Sequence, residues 1–224
     1  MATKITDNYF EFGNQKYFRV NAHLVQVGTY GKKKDPLGAR AYLDPQSKVQ
    51  SKYLEGRVQT GPVATVDWGQ TTKAAMEVNG LLTFFGLNGK IDTNGTYEKV
   101  KNAHLKLANF FILPGPLTSM LNTDADGARH YLVDEGNDGR IVSEVWVAME
   151  AELAEHFEMY GKSSLSAKAN GAELEMTVTG GKYGSQTITF STDTTFAYKL
   201  HKVKNWSNNK THIEEMEADY KGMA

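Results

Sequence analysis

The side chains of this sequence that could do chemistry are few and poorly spaced for it. Six histidines stand at positions 23, 104, 130, 156, 201 and 212, and no two share the HxH, HxxxH or HExxH spacing that turns two imidazoles toward one metal. Cysteine is absent, which removes thiolate ligands, Cys nucleophiles, disulfides and palmitoylation. Asp124-Ala125-Asp126-Gly127 opens like a calcium loop, but the ligand pattern does not continue. Gly86-Leu87-Asn88-Gly89 lacks the Lys-Ser or Lys-Thr of a phosphate loop, and no G-x-S-x-G elbow is present. Glu144, Glu150 and Glu152 could supply an acid pair, yet their spacing reads as the wet face of a strand. The expectation is therefore a chain that is not an enzyme and needs neither cofactor nor metal.

Charge gives no long-range attraction either. Lys and Arg number 25 against 26 Asp and Glu, for a net charge of -1, and the aromatic residues have no basic neighbourhood, so nucleic acid is not an expected partner. No segment approaches the roughly 20 apolar residues of a membrane-spanning helix. The amino-terminal residues lack the apolar stretch of a secretory signal, and the expected location is cytoplasmic. If the chain crosses a bilayer, it must do so with strands that close a barrel.

The elements are read from periodicity. Ile141 to Phe157 alternates, with Ile141, Val145, Val147, Met149, Ala151, Leu153 and Phe157 apolar and Glu144, Glu150, Glu152 and His156 between them, a period of two. In Ala148 to Tyr160 the residues Met149, Leu153 and Phe157 also fit a helical stripe, so this half reads as strand or as amphipathic helix. Tyr9 to Phe12 and Tyr17 to Val27 read as strands around a Gly13-Asn14 turn. Lys32, Lys33 and Lys34 form a cluster closed by Pro36, either a solvated loop or a contact for anionic headgroups. Pro45 to Arg57 reads as a short surface helix, and Val63 to Trp68 alternates.

Two Asn-Gly pairs, Asn88-Gly89 and Asn94-Gly95, signal hairpins between Leu81 to Leu87 and Tyr97 to Ile112. Pro116 starts a helix carrying Leu117, Met120 and Leu121, and a second follows to Leu132. Alternation returns in Ala172 to Val178 and in the closing stretch from Ile188 to Leu200. Ile213, Met216, Tyr220 and Met223, spaced three, four and three apart, predict an acidic amphipathic helix docked on the body. The fold class expected is α+β, a twisted, mostly antiparallel β-sheet with short flanking helices. One domain covers residues 1–206, and a tail follows over 207–224.

The glycine-rich hairpin LLTFFGLNGKIDTNGTYEKV, the strand KNAHLKLANFFIL, the short helices ending in ARHYLVDEG, the strand IVSEVWVAMEAEL and the closing GSQTITFSTDTTFAYKLHKV follow one another between Gly80 and Lys204. In order and texture this half of the chain resembles the pore-forming domain of the gasdermins, the small bacterial members above all. Ile141 to Val145 and Phe190 to Val203 look like two of that domain's strands.

The resemblance implies that segments near Val78 to Leu105 and Val142 to Val178 refold as extended hairpins, which many copies close into a membrane barrel. Val145, Val147, Met149, Ala151 and Leu153 would then face lipid, with Leu82, Phe84, Leu87 and Ile91 in the second hairpin and Lys32, Lys33 and Lys34 on headgroups. Ile213, Met216, Tyr220 and Met223 would dock a short inhibitory tail that an activating protease removes. The expected partners are further copies of the chain, membrane lipid and that protease. The alternative expectation is a β-protein that assembles into rings or tubes, such as a phage-tail-tube-like or secretion-tube subunit, and never meets lipid.

Overall fold

Alternating side chains and short turns produce strands along most of the chain. The computed structural model describes residues 2–68, 104–160, 166–168, 174–179, 185–190 and 194–223. The first strands are β1 (Thr3–Ile5), β2 (Tyr9–Phe12) and β3 (Gln15–Phe18). They form a meander whose second turn uses Gly13 at φ 63°, the positive φ that a two-residue hairpin requires. Next come β4 (Thr29–Lys34), β5 (Tyr42–Lys48), a single helical turn α1 (Ser51–Leu54) and β6 (Gln59–Thr65). Then follow β7 (Leu105–Phe111), α2 (Pro114–Thr123), α3 (Asp126–Glu135), β8 (Gly139–Glu150) and α4 (Ala151–Tyr160). The chain closes with β9 (Ser166–Lys168), β10 (Leu174–Thr179), β11 (Ser185–Phe190), β12 (Thr195–Trp206) and β13 (Ile213–Asp219).

Ten strands form one sheet, ordered β1-β2-β3-β12-β8-β4-β5, with β7 and β6 added beside β8 and β13 beside β12. All its ladders are antiparallel. Strands β9, β10 and β11 form a second, separate sheet. The α+β expectation of a mostly antiparallel sheet with short helices is what the fold shows.

Strand β8 lies at the centre and is buried on both faces. Val145, Val147 and Met149 share a core with Phe110, with Leu117 and Leu121 of α2 and with Phe157 of α4. On the other face Trp146 and Ala148 join Phe10, Tyr17, Trp68 and Phe196. Phe10 meets the Trp146 ring edge-on at 5.2 Å, and Tyr17 does so at 5.6 Å, an arrangement that adds to the burial of the rings themselves. The meander β1–β3 is the lid on this aromatic face. At its free end the Thr3 hydroxyl donates to Thr65 O at 3.3 Å, so β1 comes round to stand beside β6.

Five sequence expectations need correction. Tyr17 to Val27 is not one strand, because β3 stops at Phe18 and Ala22–Leu24 turn as a short 3-10 helix. Pro45 to Arg57 is not a surface helix, because β5 runs to Lys48 and only Ser51–Leu54 is helical. The Lys32–Lys34 cluster is not a loop but the end of β4, whose alternation turns Lys33 inward. Ala151 and Leu153 are not strand residues, because the chain leaves the ladder after Glu150 and coils into α4, where Ala154 and Phe157 fill the core. The tail is not a helix: Ile213–Asp219 pairs with β12. The reason lies in that ladder, where register shifts between Val203 and Trp206 let Ile213 and Met216 both be buried three residues apart. An irregular strand thereby imitates helical spacing.

Gly31 marks a close approach between β4 and β5. A Cβ at this position would lie 2.1 Å from Asp44 O, a backbone atom that cannot swing aside. Gly31→Ala is expected to lose about 1–3 kcal/mol of stability by overpacking, read as a lower urea midpoint. An unchanged midpoint would show that the two strands part more easily than their register suggests.

Candidate functional site

The ladders place four strand ends on one line. Thr65 pairs with Lys106, Leu105 with Glu150, and Val147 with Thr195. The end of β6, the start of β7, the end of β8 and the start of β12 therefore lie side by side. Two long connections, residues 66–104 and 151–194, leave the sheet from this line, each joining a pair of neighbouring antiparallel strands. In the second, α4 folds back over the sheet. Phe157 meets Phe110 edge-on at 5.3 Å, Lys106 pairs with Glu155 at 2.5 Å, and Val63 N–H donates to Glu158 Oε1 at 3.3 Å. Strands β10 and β11 then pair as a hairpin, with Leu174 opposite Phe190 and Met176 opposite Ile188, between the pairs Glu175–Thr189 and Thr177–Thr187.

The residues expected to meet lipid occupy varied surroundings. Val145, Val147 and Met149 are buried beneath the helices, while Leu153 packs on that core from α4. Leu82, Phe84, Leu87 and Ile91 lie outside the described residues. Lys32 pairs with Glu135 at 2.9 Å and Asp138 at 3.5 Å, and Lys34 with Asp44 at 3.9 Å. Lys33 is buried. The three ammonium groups therefore do not form one exposed cationic patch. Of the tail residues, Ile213, Met216 and Met223 are buried, and Tyr220 is exposed.

Lys33 turns inward to meet Asp219, the last residue of β13. The Asp219 carboxylate accepts from Lys33 Nζ at 2.8 Å and from Arg140 Nε at 2.7 Å, and Lys33 also donates to Lys221 O at 2.7 Å. Burial alone would raise the Asp219 pKa, but the bonds from Lys33, Arg140 and the Lys221 N–H outweigh it and hold the group below its ordinary range. One buried carboxylate thus ties β13 to β4 and β8. Asn122 of α2 reinforces the other end of the strand, accepting from Ile213 N–H and donating to Ile213 O, both at 2.9 Å.

A second buried polar group went unseen in the sequence, because its partners are 58 residues apart. Lys199 pairs with Glu144 and Leu200 with Val142, which leaves Ser143 as the extra residue of a bulge. Its hydroxyl sits 2.7 Å from His201 Nδ1. Burial, then the nearby Lys199 charge, pushes the His201 pKa down to about 4, so the imidazole is neutral at pH 7. Glu144 does not complete a catalytic triad here, since its carboxylate is taken by Asn109 at 2.9 Å and Lys199 at 3.4 Å. With Ser143 only 1% exposed, this hydroxyl and imidazole form a packed pair at the floor of a cleft of about 480 Å³. Among the described residues no cluster of His, Asp and Glu is arranged to hold a metal, and no helix is long and apolar enough to cross a membrane.

Setting Ser143 and His201 aside, the feature that distinguishes the molecule is the shared line from which the two long connections leave. No family model, no curated protein and no solved structure matches the chain.

Proposed function

We propose that this chain is a gasdermin-like pore-forming protein. Copies assemble into a ring, and each inserts the connections 66–104 and 151–194 as two hairpins that prolong β6–β7 and β8–β12. The observation that supports this reading is the common line of the four strand ends. Hairpins drawn out from it would continue four adjacent antiparallel strands without a break in the ladder. A strand needs about 9–11 residues to cross a bilayer, and each connection is long enough for two such strands and their turn. In the sequence of β10, Leu174, Met176 and Val178 alternate with Glu175, Thr177 and Thr179, the pattern of a wall between lipid and a water-filled lumen. Insertion requires α4 to leave the sheet and release Phe157 and Glu155 from their partners.

Dye release from anionic liposomes, with electron microscopy of the same samples, tests the proposal. The expected result is leakage accompanied by membrane-bound rings. Met176→Asp with Ile188→Asp is expected to abolish leakage, since charges on a lipid-facing row oppose insertion, most strongly near mid-bilayer. Soluble rings without leakage would point instead to a tube subunit, and absence of both leakage and rings would sink both readings.

A further inference from the structure

The strands around the aromatic core have a parity problem. Going round from β6, the order is β6, β7, β8, β12, β3, β2, β1, and each neighbouring pair runs antiparallel. Seven alternating strands cannot close on themselves. When β1 comes back to β6, the two run in the same direction. Among the described residues, no backbone ladder joins them: β1 pairs only with β2, and β6 only with β7. Across the seam the Thr3 hydroxyl donates to Thr65 O at 3.3 Å, and Ile5 and Phe12 pack against the cluster that holds Ala64. On its other side the meander has one registered ladder pair with β12, Phe18 with Tyr198, beside a bond from Lys199 Nζ to Gln15 Oε1 at 3.1 Å and the ion pair of Asp7 with Arg40.

The four strands β6, β7, β8 and β12 have no such problem. They alternate, their number is even, and β12 ends the set running opposite to β6. Placing the β6 edge of a second copy beside the β12 edge of the first continues the alternation. The contact is head-to-tail, using two different surfaces, and repeats until a ring closes.

We infer that the meander β1–β3 is a detachable guard over both edges of this four-stranded set, and that the occupant it excludes is a second copy of the chain. The inference rests on the assembly reading above and adds the surface by which copies meet. Edge strands left open would pair with other chains before they were needed; this meander covers the β6 edge at Thr3 and the first half of the β12 edge at Phe18, while β13 already pairs the same edge from Leu200 to Trp206. Its position at the exit line means that displacing it frees the edges where the hairpins must begin. The guard's own grip comes from Phe10 and Tyr17 against Trp146 and Phe196, an apolar contact that the incoming copy or the lipid would have to replace.

The absence of native cysteine allows a direct test with the double variant Thr3→Cys, Thr65→Cys, which staples the seam when oxidised and frees it when reduced. Disulfide formation is followed by gel mobility, and retention of the fold by circular dichroism and a cooperative melt. On anionic liposomes the reduced protein is expected to form rings and leak dye as the natural chain does. The oxidised protein, equally folded, is expected to lose both, and reductant should restore them. Oxidised protein that assembles as readily as reduced protein would overturn the guard while leaving the assembly reading in place. A natural chain that never assembles would overturn that reading and the guard together. A further variant, Thr3→Val, removes the seam bond without a crosslink and is expected to assemble faster; an unchanged rate would count against the guard.

Discussion

Replacing Asp219 by alanine is expected to lower the free energy of unfolding by about 3–5 kcal/mol, because it leaves two buried cations without their counter-charge. Lys33 and Arg140 both direct a nitrogen at the same Asp219 oxygen, and their side chains are 5% and 8% exposed, so water cannot easily replace the carboxylate. Asp219→Asn keeps the shape and removes the charge, and should cost nearly as much. Lys33→Met leaves the Arg140 pair in place, removes one buried charge and should cost less than either. Urea unfolding of the three variants settles the order. If Asp219→Ala lost under 1 kcal/mol, the carboxylate would not be the tie between β13, β4 and β8. The same tie bears on the tail. Removing residues after Ser207 would take away β13 with the buried Ile213 and Met216, so truncation should destabilise the fold before it could activate anything.

His201 is expected to make stability fall in mild acid. Its pKa drops from 6.5 to about 4 on folding, so between those values the unfolded chain binds a proton that the folded chain refuses. Stability contributed by the neutral, buried imidazole is complete above about pH 6.5 and lost by about pH 4. The loss is on the order of 3 kcal/mol across that window. Asp219 works in a lower range, since its pKa is held below 3.8 and its contribution disappears only when pH falls through that depressed value. Thermal or urea midpoints for the natural chain and His201→Gln, compared from pH 7 to pH 4, separate the two. The difference between the proteins should shrink as pH falls. Parallel profiles would show that some other group sets the acid response.

Much of the fold could be read in the sequence, and the failures have specific causes. Ile141 to Met149 declared itself a strand by alternation. Its burial on both faces was hidden, because Trp146 and Ala148 are covered by a meander from the other end of the chain. Ala151 to Tyr160 satisfied both periods, and the choice was made by packing, with Ala154 and Phe157 reaching the core only as a helix. The tail misled because the β12–β13 ladder is irregular where Ile213 and Met216 pack. Lys33 could not be told from its neighbours, since the partner that explains it lies 186 residues away. The exit line of the two connections was likewise invisible, as it depends on which strands pair. The resemblance to gasdermins suggested two refolding hairpins, and it is the ladder registers that put the ends of both connections beside each other.

The shared carboxylate also sets an order of events during synthesis. Lys33 and Arg140 leave the ribosome well before Asp219, so β4 and β8 cannot bury their cations favourably until β13 has been made. A chain interrupted anywhere before Asp219 carries two charges that resist enclosure in the core.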